Sequence, residues 1–476
     1  MKPLGAGFQW LLGALAAALC ACATPPSSRP PRSAMTDAGM GLTGAAAQPA
    51  PQGWWNELGD AQLDHLIEDA LRDNPGLAQA GARLRLAQAQ AAAAHAAQLP
   101  AMKLSAGETR LKIPSSFPPA IAGGQTVWAG DLGAVLSWDL DLWGEHADEA
   151  AQARALADAA ELDIDDARLL LAAALVQSYI DLYRSYALAD IADLTEAQRA
   201  NILNITRERV AAGLDTRVEL REAEGALPQA RLARTQAQLA ELLAIHQLAA
   251  LGGRGADAYA AIGRPQLNLE AALPLPAQLP VNLLARRPDV IAARARIVAA
   301  DAHKRAAKAA FYPTISLTAL AGFASFSLSD LLSAKSLGYG AGPGLSLPLF
   351  DGGRLRAQYR GSEAGLDQAV ASYDDTVVRA VHQAADQISL IESLGVQLEQ
   401  QRDSLNAAEE AYRLAEERYR AGLAGYLTVL NAETEVLNER RQQVDLRASL
   451  AVARVTLLLA VGGSFQYQAP PSVAAR

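Results

Sequence analysis

From Thr126 to Leu140 apolar residues fall on alternate positions. Trp128, Leu132, Ala134, Leu136, Trp138 and Leu140 share one side, and Asp131, Gly133, Ser137 and Asp139 share the other. Successive side chains of a pleated strand point to opposite faces, so this period of two predicts a strand with one apolar face. Trp128 and Trp138 lie on that face ten residues apart. At about 3.3 Å per residue and about 40° of tilt, they would stand about 25 Å apart, the spacing of the two aromatic girdles of a membrane β-barrel. A soluble sandwich strand with two core tryptophans fits the same pattern.

The alternation returns later in the chain. Ile315, Leu317, Ala319, Ala321 and Phe323 alternate with Thr314, Ser316 and Thr318, which predicts a strand at about 314–326. Tyr339, Ala341, Pro343, Leu345, Leu347 and Leu349 alternate with Gly340, Gly342, Gly344 and Ser346, which predicts one at about 339–350. Pro343 is out of place in a strand interior because it cannot donate to a ladder. A fourth strand, at about 101–113, is broken on its apolar side by Glu108 and Arg110. The stretches 114–125 and 327–338 read as loops on the extracellular side.

Between the strand pairs the period changes. Gly144 to Ala212 and Gly353 to Ala421 contain no proline and little glycine. Each, as a single helix, would be about 100 Å long at 1.5 Å per residue, too long for a compact domain. Leu169, Ala172, Val176, Tyr179, Tyr183 and Tyr186 follow the 3-4 spacing of a coiled-coil seam, as do Leu405, Ala408, Tyr412, Ala415, Tyr419 and Gly422. Shorter helices return after Gly213 and Gly422, the second with a seam at Leu446, Leu450, Ala453, Leu457 and Ala460. These stripes are scaffold packing.

The landmarks repeat. Asn74-Pro75 and Arg287-Pro288 each open a helical pattern, and the patterns close at Pro100 and Pro313; both proline pairs are 213 positions apart. Glu208-Arg209-Val210-Ala211-Ala212-Gly213-Leu214 matches Glu417-Arg418-Tyr419-Arg420-Ala421-Gly422-Leu423 at an offset of 209. Leu251-Gly252-Gly253 matches Val461-Gly462-Gly463 at 210. A period near 210 is far beyond a solenoid repeat and indicates one large duplicated unit. Each unit reads helix, strand, loop, strand, long helix, turn, helix. The expected divisions are 54–253 for the first repeat, 254–282 for an inter-repeat or equatorial linker, 283–463 for the second repeat and 464–476 for a tail.

Counting strands sets the assembly. Four strands cannot close a barrel, and an open edge is not tolerated in lipid. Two copies would give eight strands with a filled interior, whereas three would give twelve, wide enough for a pore. The fold class is therefore an α+β membrane channel, a trimeric 12-stranded barrel whose pore the long helices continue as a tube on the periplasmic side.

Composition narrows the chemistry. The net charge of −9 and the lack of a long basic run argue against nucleic acid. The six histidines are scattered, and no phosphate loop or nucleophile motif is present, so neither an enzyme nor a metal site is expected. Both cysteines, Cys20 and Cys22, fall within an N-terminal apolar segment of signal-peptide length. A mature chain cut before Cys22 has no disulfide to form. Residues 24 to about 53 are rich in Pro, Ser, Gly and Ala and read as a tether.

Leu19-Cys20-Ala21-Cys22 resembles a bacterial lipobox, which implies a signal peptide over 1–21, a covalent lipid on Cys22, no other cofactor, and an acylated tether over 22–53. Ordinary cleavage after Ala21 or Ala23 is the alternative. Leu279-Pro280-Val281-Asn282-Leu283-Leu284-Ala285-Arg286-Arg287-Pro288-Asp289-Val290 resembles the inter-repeat signature of the outer membrane factor lipoproteins, the TolC/OprM family, NodT-type branch. Leu142-Trp143-Gly144 and Leu349-Phe350-Asp351-Gly352-Gly353 resemble its strand-to-helix corners. The resemblance covers about residues 54–465. It implies a homotrimer in outer-membrane lipid whose 12-stranded barrel is continued by a periplasmic 12-helix α-barrel, acting as the passive exit duct of a tripartite efflux system. Its partners would be a periplasmic membrane-fusion adaptor protein and an inner-membrane RND-type pump.

The resemblance also implies a periplasmic aperture at the inner hairpins. The stretch Leu427 to Thr434 matches the constriction of OprM-like members, which carry aspartate where this chain has Asn431 and arginine where it has Thr434. The charge is then expected from the first repeat, at Glu222 with Asp215, Arg217, Glu219 and Arg221; Tyr426 belongs to the same level. Two other readings remain at this point: the outer-membrane duct of a type I protein secretion system, and a periplasmic coiled-coil scaffold lipoprotein without a pore.

Overall fold

The computed structural model describes residues 48–116, 124–271, 273 and 275–467, with residues 27, 30, 32–35, 40, 42, 45 and 46 before them. The expected signal peptide, 1–21, and Cys22 lie outside the described residues. A short 3-10 turn at Trp54–Leu58 precedes α1 (Ala61–Asp73) and α2 (Pro75–Ala96). Then come β1 (Ala101–Lys112), β2 (Thr126–Asp139), α3 (Glu145–Ala211) and α4 (Arg217–Leu251). The second half runs α5 (Pro288–Ala309), β3 (Thr314–Ser325), β4 (Leu337–Ser346), α6 (Arg354–Arg420) and α7 (Tyr426–Ala460).

The duplication is visible element by element. α2 and α5 have 22 residues each, β1 and β3 have 12, α3 and α6 have 67, and α4 and α7 have 35. Both long helices stop the same way. Gly213 and Gly422 take φ of 72° and 76°. Leu214 N–H reaches back to the Arg209 carbonyl and Leu423 N–H to that of Arg418, closing the last turn by the Schellman pattern that a left-handed glycine permits. Both also start alike: carboxylates of Asp141 and Asp351 accept from backbone N–H groups of the first turns, His146 and Ala147 in one case, Gly353 and Leu355 in the other.

Among the described residues the chain divides into two compact units that interleave the repeats. One is drawn from Arg83–Ala160 and Ala293–Tyr373, and the other from Met35–Ala82, Glu161–Ala292 and Asp374–Arg476. The first holds the sheet, in the order β1-β2-β3-β4 and antiparallel throughout. β4 closes at Ser346, short of the expected 350, so Leu347 and Leu349 fall beyond it; Pro348 cannot donate to a ladder. Pro343 lies inside β4 opposite Leu317, on an edge strand whose outer side has no partner among the described residues.

The second unit has the large core. Leu63 and Ile67 of α1, Leu175, Val176, Tyr179 and Leu182 of α3, Leu248 of α4 and Val455 and Leu458 of α7 are buried together. Tyr183 and Tyr186 continue the seam at its margin. The inter-repeat signature is an anchor within this unit. Arg287 forms a fork with Asp289, at 3.0 and 2.8 Å, and donates to the Ala460 carbonyl at the end of α7. Arg286, buried, donates to the Gly463 carbonyl at 3.1 Å.

Candidate functional site

Two places carry the features a duct needs, one in each unit. The first is the sheet. Its register sets Leu132 opposite Ala106 and Phe323, Leu136 opposite Met102 and Ala319, and Trp138 opposite Leu317. Ile315, Ala321, Tyr339, Ala341 and Leu345 continue the same face through β3 and β4. That face is apolar except at Glu108, Arg110 and Lys112 of β1, and Trp128 and Trp138 mark the two ends of its stripe on β2. Trp128 is half exposed; the Trp138 indole N–H donates to the Gln98 carbonyl at 3.0 Å.

The opposite face is mainly small or polar, although Lys103, Leu111, Val127, Val135 and Leu320 also lie on it. It carries Ser105, Thr109, Asp131, Gly133, Ser137, Ser316, Thr318, Gly322 and the four alternating glycines Gly338, Gly340, Gly342 and Gly344. Gly133 and Gly322 are directly paired across β2 and β3. A Cβ on Gly322 would stand 2.6 Å from the Leu132 carbonyl oxygen, so the backbones approach there as only glycine allows. An apolar face backed by a small, hydroxylated one is the cross-section of a pore wall. The free edges of β1 and β4 remain to be paired, and no helix among the described residues is long and apolar enough to cross a membrane.

The second place is the pair of helix hairpins, α3 to α4 and α6 to α7. Ile202, Leu203, Ala223, Ala415, Tyr419, Tyr426 and Val429 form their common core. Beside it, Asp215 takes two hydrogen bonds from Arg209, at 2.8 and 3.0 Å, and one from the Tyr419 hydroxyl at 2.7 Å. These bonds, the one from Arg209 first, hold the Asp215 carboxyl below the usual carboxylate range. Burial pushes the Tyr419 hydroxyl up to about 12.

The residues expected at the aperture divide by what they do. Asp215 is engaged in the tie just described. Glu219 accepts from Thr216 N–H at 2.9 Å and from its hydroxyl, completing a capping box at the start of α4. Arg221 is exposed and pairs with Glu224. Arg217, Glu222, Asn431 and Thr434 are exposed, and the Thr434 hydroxyl donates to the Leu430 carbonyl. Tyr426 is buried against Tyr419, ring centroids 6.4 Å apart.

Sequence reasoning missed a buried ion pair in the same hairpins. Glu433 is 1 % exposed, with Arg199 Nε 2.9 Å from its Oε2. Burial outweighs the Arg199 charge and lifts the Glu433 carboxyl above its ordinary range. The signal was present: Tyr426, Val429, Glu433, Val436 and Leu437 are one buried helical stripe, and Glu433 is its one charged member.

Comparisons with known proteins follow the same lines. A family model described as outer membrane efflux protein matches residues 66–254 and 279–463. The fusaric acid resistance protein FusA of Burkholderia cepacia is 38% identical over 351 residues, which span 72% of this chain and 66% of that protein. The multidrug resistance outer membrane protein MdtP of Escherichia coli K12 is 30% identical over 431 residues, 88% of this chain and 87% of MdtP. Among solved structures, the outer membrane protein VceC of Vibrio cholerae superposes with a TM-score of 0.83 at 33% identity, covering 88% of this chain and all of VceC.

Proposed function

From the premise that the chain belongs to the outer membrane efflux protein family, and so serves efflux at the outer membrane, we propose how it works: three copies close one twelve-stranded barrel and form a passive exit duct. The observation that carries this is the sheet itself. It has one face that is apolar except at Glu108, Arg110 and Lys112, one face of mainly small or polar residues, and two unpaired edges. In lipid such edges must be paired, and pairing β1 of one copy with β4 of the next leaves none open. Twelve strands leave a pore, whereas eight would be filled by side chains.

The duct does no chemistry on its cargo. Glycine, serine and threonine along the inner face offer no pocket and few strong contacts, so solutes pass without being held. Direction and energy come from its partners, a periplasmic membrane-fusion adaptor protein and an inner-membrane RND-type pump. Relatives named for fusaric acid resistance and multidrug resistance support small organic molecules as cargo. At the hairpins, the exposed charges Arg217 and Glu222, with the Glu224-paired Arg221 near them, would line the aperture beside Asn431 and Thr434. A lipid on Cys22 would tether each copy to the outer membrane.

Planar-bilayer conductance of the detergent-purified protein, with its mass measured in parallel, tests the central reading. A trimer giving steady pore currents is expected. A water-soluble monomer without conductance would overturn it and favour a lipid-tethered coiled-coil scaffold. Conductance of Glu222→Ala and Asn431→Ala tests the aperture, whose assignment fails if neither current changes. Mass spectrometry of the N-terminal peptide tests the lipid, which Cys22→Ser should remove.

A further inference from the structure

At the hairpin end of the sheet the apolar face changes character. Along β1 it runs Met102, Leu104 and Ala106, opposite Leu136, Ala134 and Leu132, and then Glu108, Arg110 and Lys112. Arg110 stands opposite Trp128, its Cζ 5.6 Å from the ring centroid, and Lys112 stands opposite Thr126. No acid lies within ion-pair distance of either cation among the described residues, although Glu108 is two positions away. In a closed ring of copies the strand beside β1 is β4, and Leu337–Ser346 contains no charged residue. Two cations are thus left unneutralised at the margin of a surface otherwise built for acyl chains.

We propose that Arg110 and Lys112, with Trp128 beside them, bind the phosphate of an anionic lipid in the outer leaflet. The proposal rests on the reading of the sheet as a barrel wall with its hairpin loops outward. Tryptophan rings settle at headgroup level, which places Arg110 at the same depth. The aliphatic stems of Arg110 and Lys112 lie along apolar surface while their charged heads reach the polar layer. There the guanidinium presents a fork of N–H donors to phosphate oxygens, and the ammonium adds a second charge on the same strand, one pleat nearer the loop. Glu108, one pleat deeper and opposite Gly130, repels phosphate from the bilayer interior and confines it to the two cations. The lipid's acyl chains then run down Leu132, Ala134 and Leu136.

The test is lipid retention by the full-length trimer in detergent, read by native mass spectrometry. The probes are bisphosphorylated lipid A, its monophosphorylated form, and phosphatidylcholine. The wild type should retain the bisphosphorylated lipid best and phosphatidylcholine least. Arg110→Gln and Lys112→Gln should each weaken retention about fivefold. Arg110→Lys should keep most of it, and Glu108→Gln should retain lipid at least as well as the wild type. The double variant holding lipid A as tightly as the wild type, or a wild type indifferent to phosphate number, would overturn the proposal. Conductance recorded on the same preparations separates the two levels. A conducting trimer without phosphate selectivity removes the lipid site alone, whereas a protein that conducts nothing removes the barrel beneath it.

Discussion

Arg209 of one hairpin is held by Tyr419 of the other through both backbone and ring. Its Nη1 donates to the Tyr419 carbonyl at 2.8 Å, and its Cζ lies 4.5 Å from the centroid of the Tyr419 ring. Asp215 completes the set by accepting from the Arg209 guanidinium and from the Tyr419 hydroxyl. The two hairpin turns, one from each repeat, are therefore joined by a charged cluster at the edge of a small apolar core. The repeat is not symmetric here: Arg418 stands where the duplication matches Arg209, and among the described residues it makes no ion pair with a carboxylate that would mirror this one.

Tyr419→Phe should loosen the hairpin turns without disturbing the rest of the chain. The variant loses the hydroxyl's bond to Asp215 and its contact with Thr206 at 3.0 Å, a cost of about 2 kcal/mol for bonds that involve a charged group. Asp215→Asn should cost more, about 3 kcal/mol, because it leaves the Arg209 charge largely buried without its counter-charge. Hydrogen exchange at 206–222 and 415–430 reads both, with unchanged exchange in β1–β4 as the control. The pH dependence has a definite sign. A carboxyl held below its ordinary range contributes stability above that range and loses it as pH falls, so acid should lower the protection of these amides, taken relative to the intrinsic exchange rate at each pH, in the wild type and much less in Asp215→Asn.

Asp166 predicts the opposite pH dependence. Burial raises its carboxyl to about 6; Asp289 adds to the rise and Arg287 opposes it. Protonation is favoured in the folded state, so the associated stability is full below the unfolded value and lost as pH rises through about 6. Asp166→Asn should melt higher than the wild type at pH 7.5, by about 1 kcal/mol given partial exposure, and no higher at pH 4. Equal melting temperatures at pH 7.5 would contradict the burial of that charge.

The strands and long helices were legible because each obeys a simple period over many residues. Trp128 to Trp138 keeps its alternation with only Gly130 and Val135 out of pattern, and the long helices reveal themselves by lacking proline over 69 positions each. The duplication strengthened every weak element with its twin. What could not be read was which charges find partners. Asp215 and Glu222 look alike in the sequence, yet one is tied to a residue 204 positions away and the other is exposed. Pairings of that range depend on how two hairpins pack, which no local pattern encodes. The end of β4 was missed by four residues because Leu347 and Leu349 keep the alternation after Pro348 has ended the ladder.

The buried pair Arg199–Glu433 separates the worth of a contact from the cost of breaking it. Two charges removed from water regain little more than they lose, whereas one left alone is expensive. Glu433→Ala should therefore cost about 4 kcal/mol, and the double variant Arg199→Met with Glu433→Met should be close to the wild type. Thermal melting of the detergent-solubilised protein across this cycle measures it. If the double variant is as unstable as Glu433→Ala, the pair is holding the hairpins by more than mutual neutralisation.

Adjacent residues of β2 should fail in different ways. Leu132 and Asp131 are neighbours in sequence, but the pleat sends them to opposite faces. Leu132 sits between Ala106 and Phe323 on the apolar side, Asp131 between Gly107 and Ala324 on the polar side. Leu132→Lys places a charge in the hydrocarbon layer and should cost about 2–4 kcal/mol, reducing the heat-modifiable folded trimer formed in liposomes. Asp131→Lys should leave that trimer intact, since its side chain meets water and small residues. Its effect should appear in the current instead. Three acidic side chains at one level of the pore become three basic ones, so the reversal potential in a salt gradient should move toward anion preference. If Asp131→Lys blocks assembly while Leu132→Lys spares it, the faces are assigned the wrong way round, and the polar side, not the apolar one, meets the lipid.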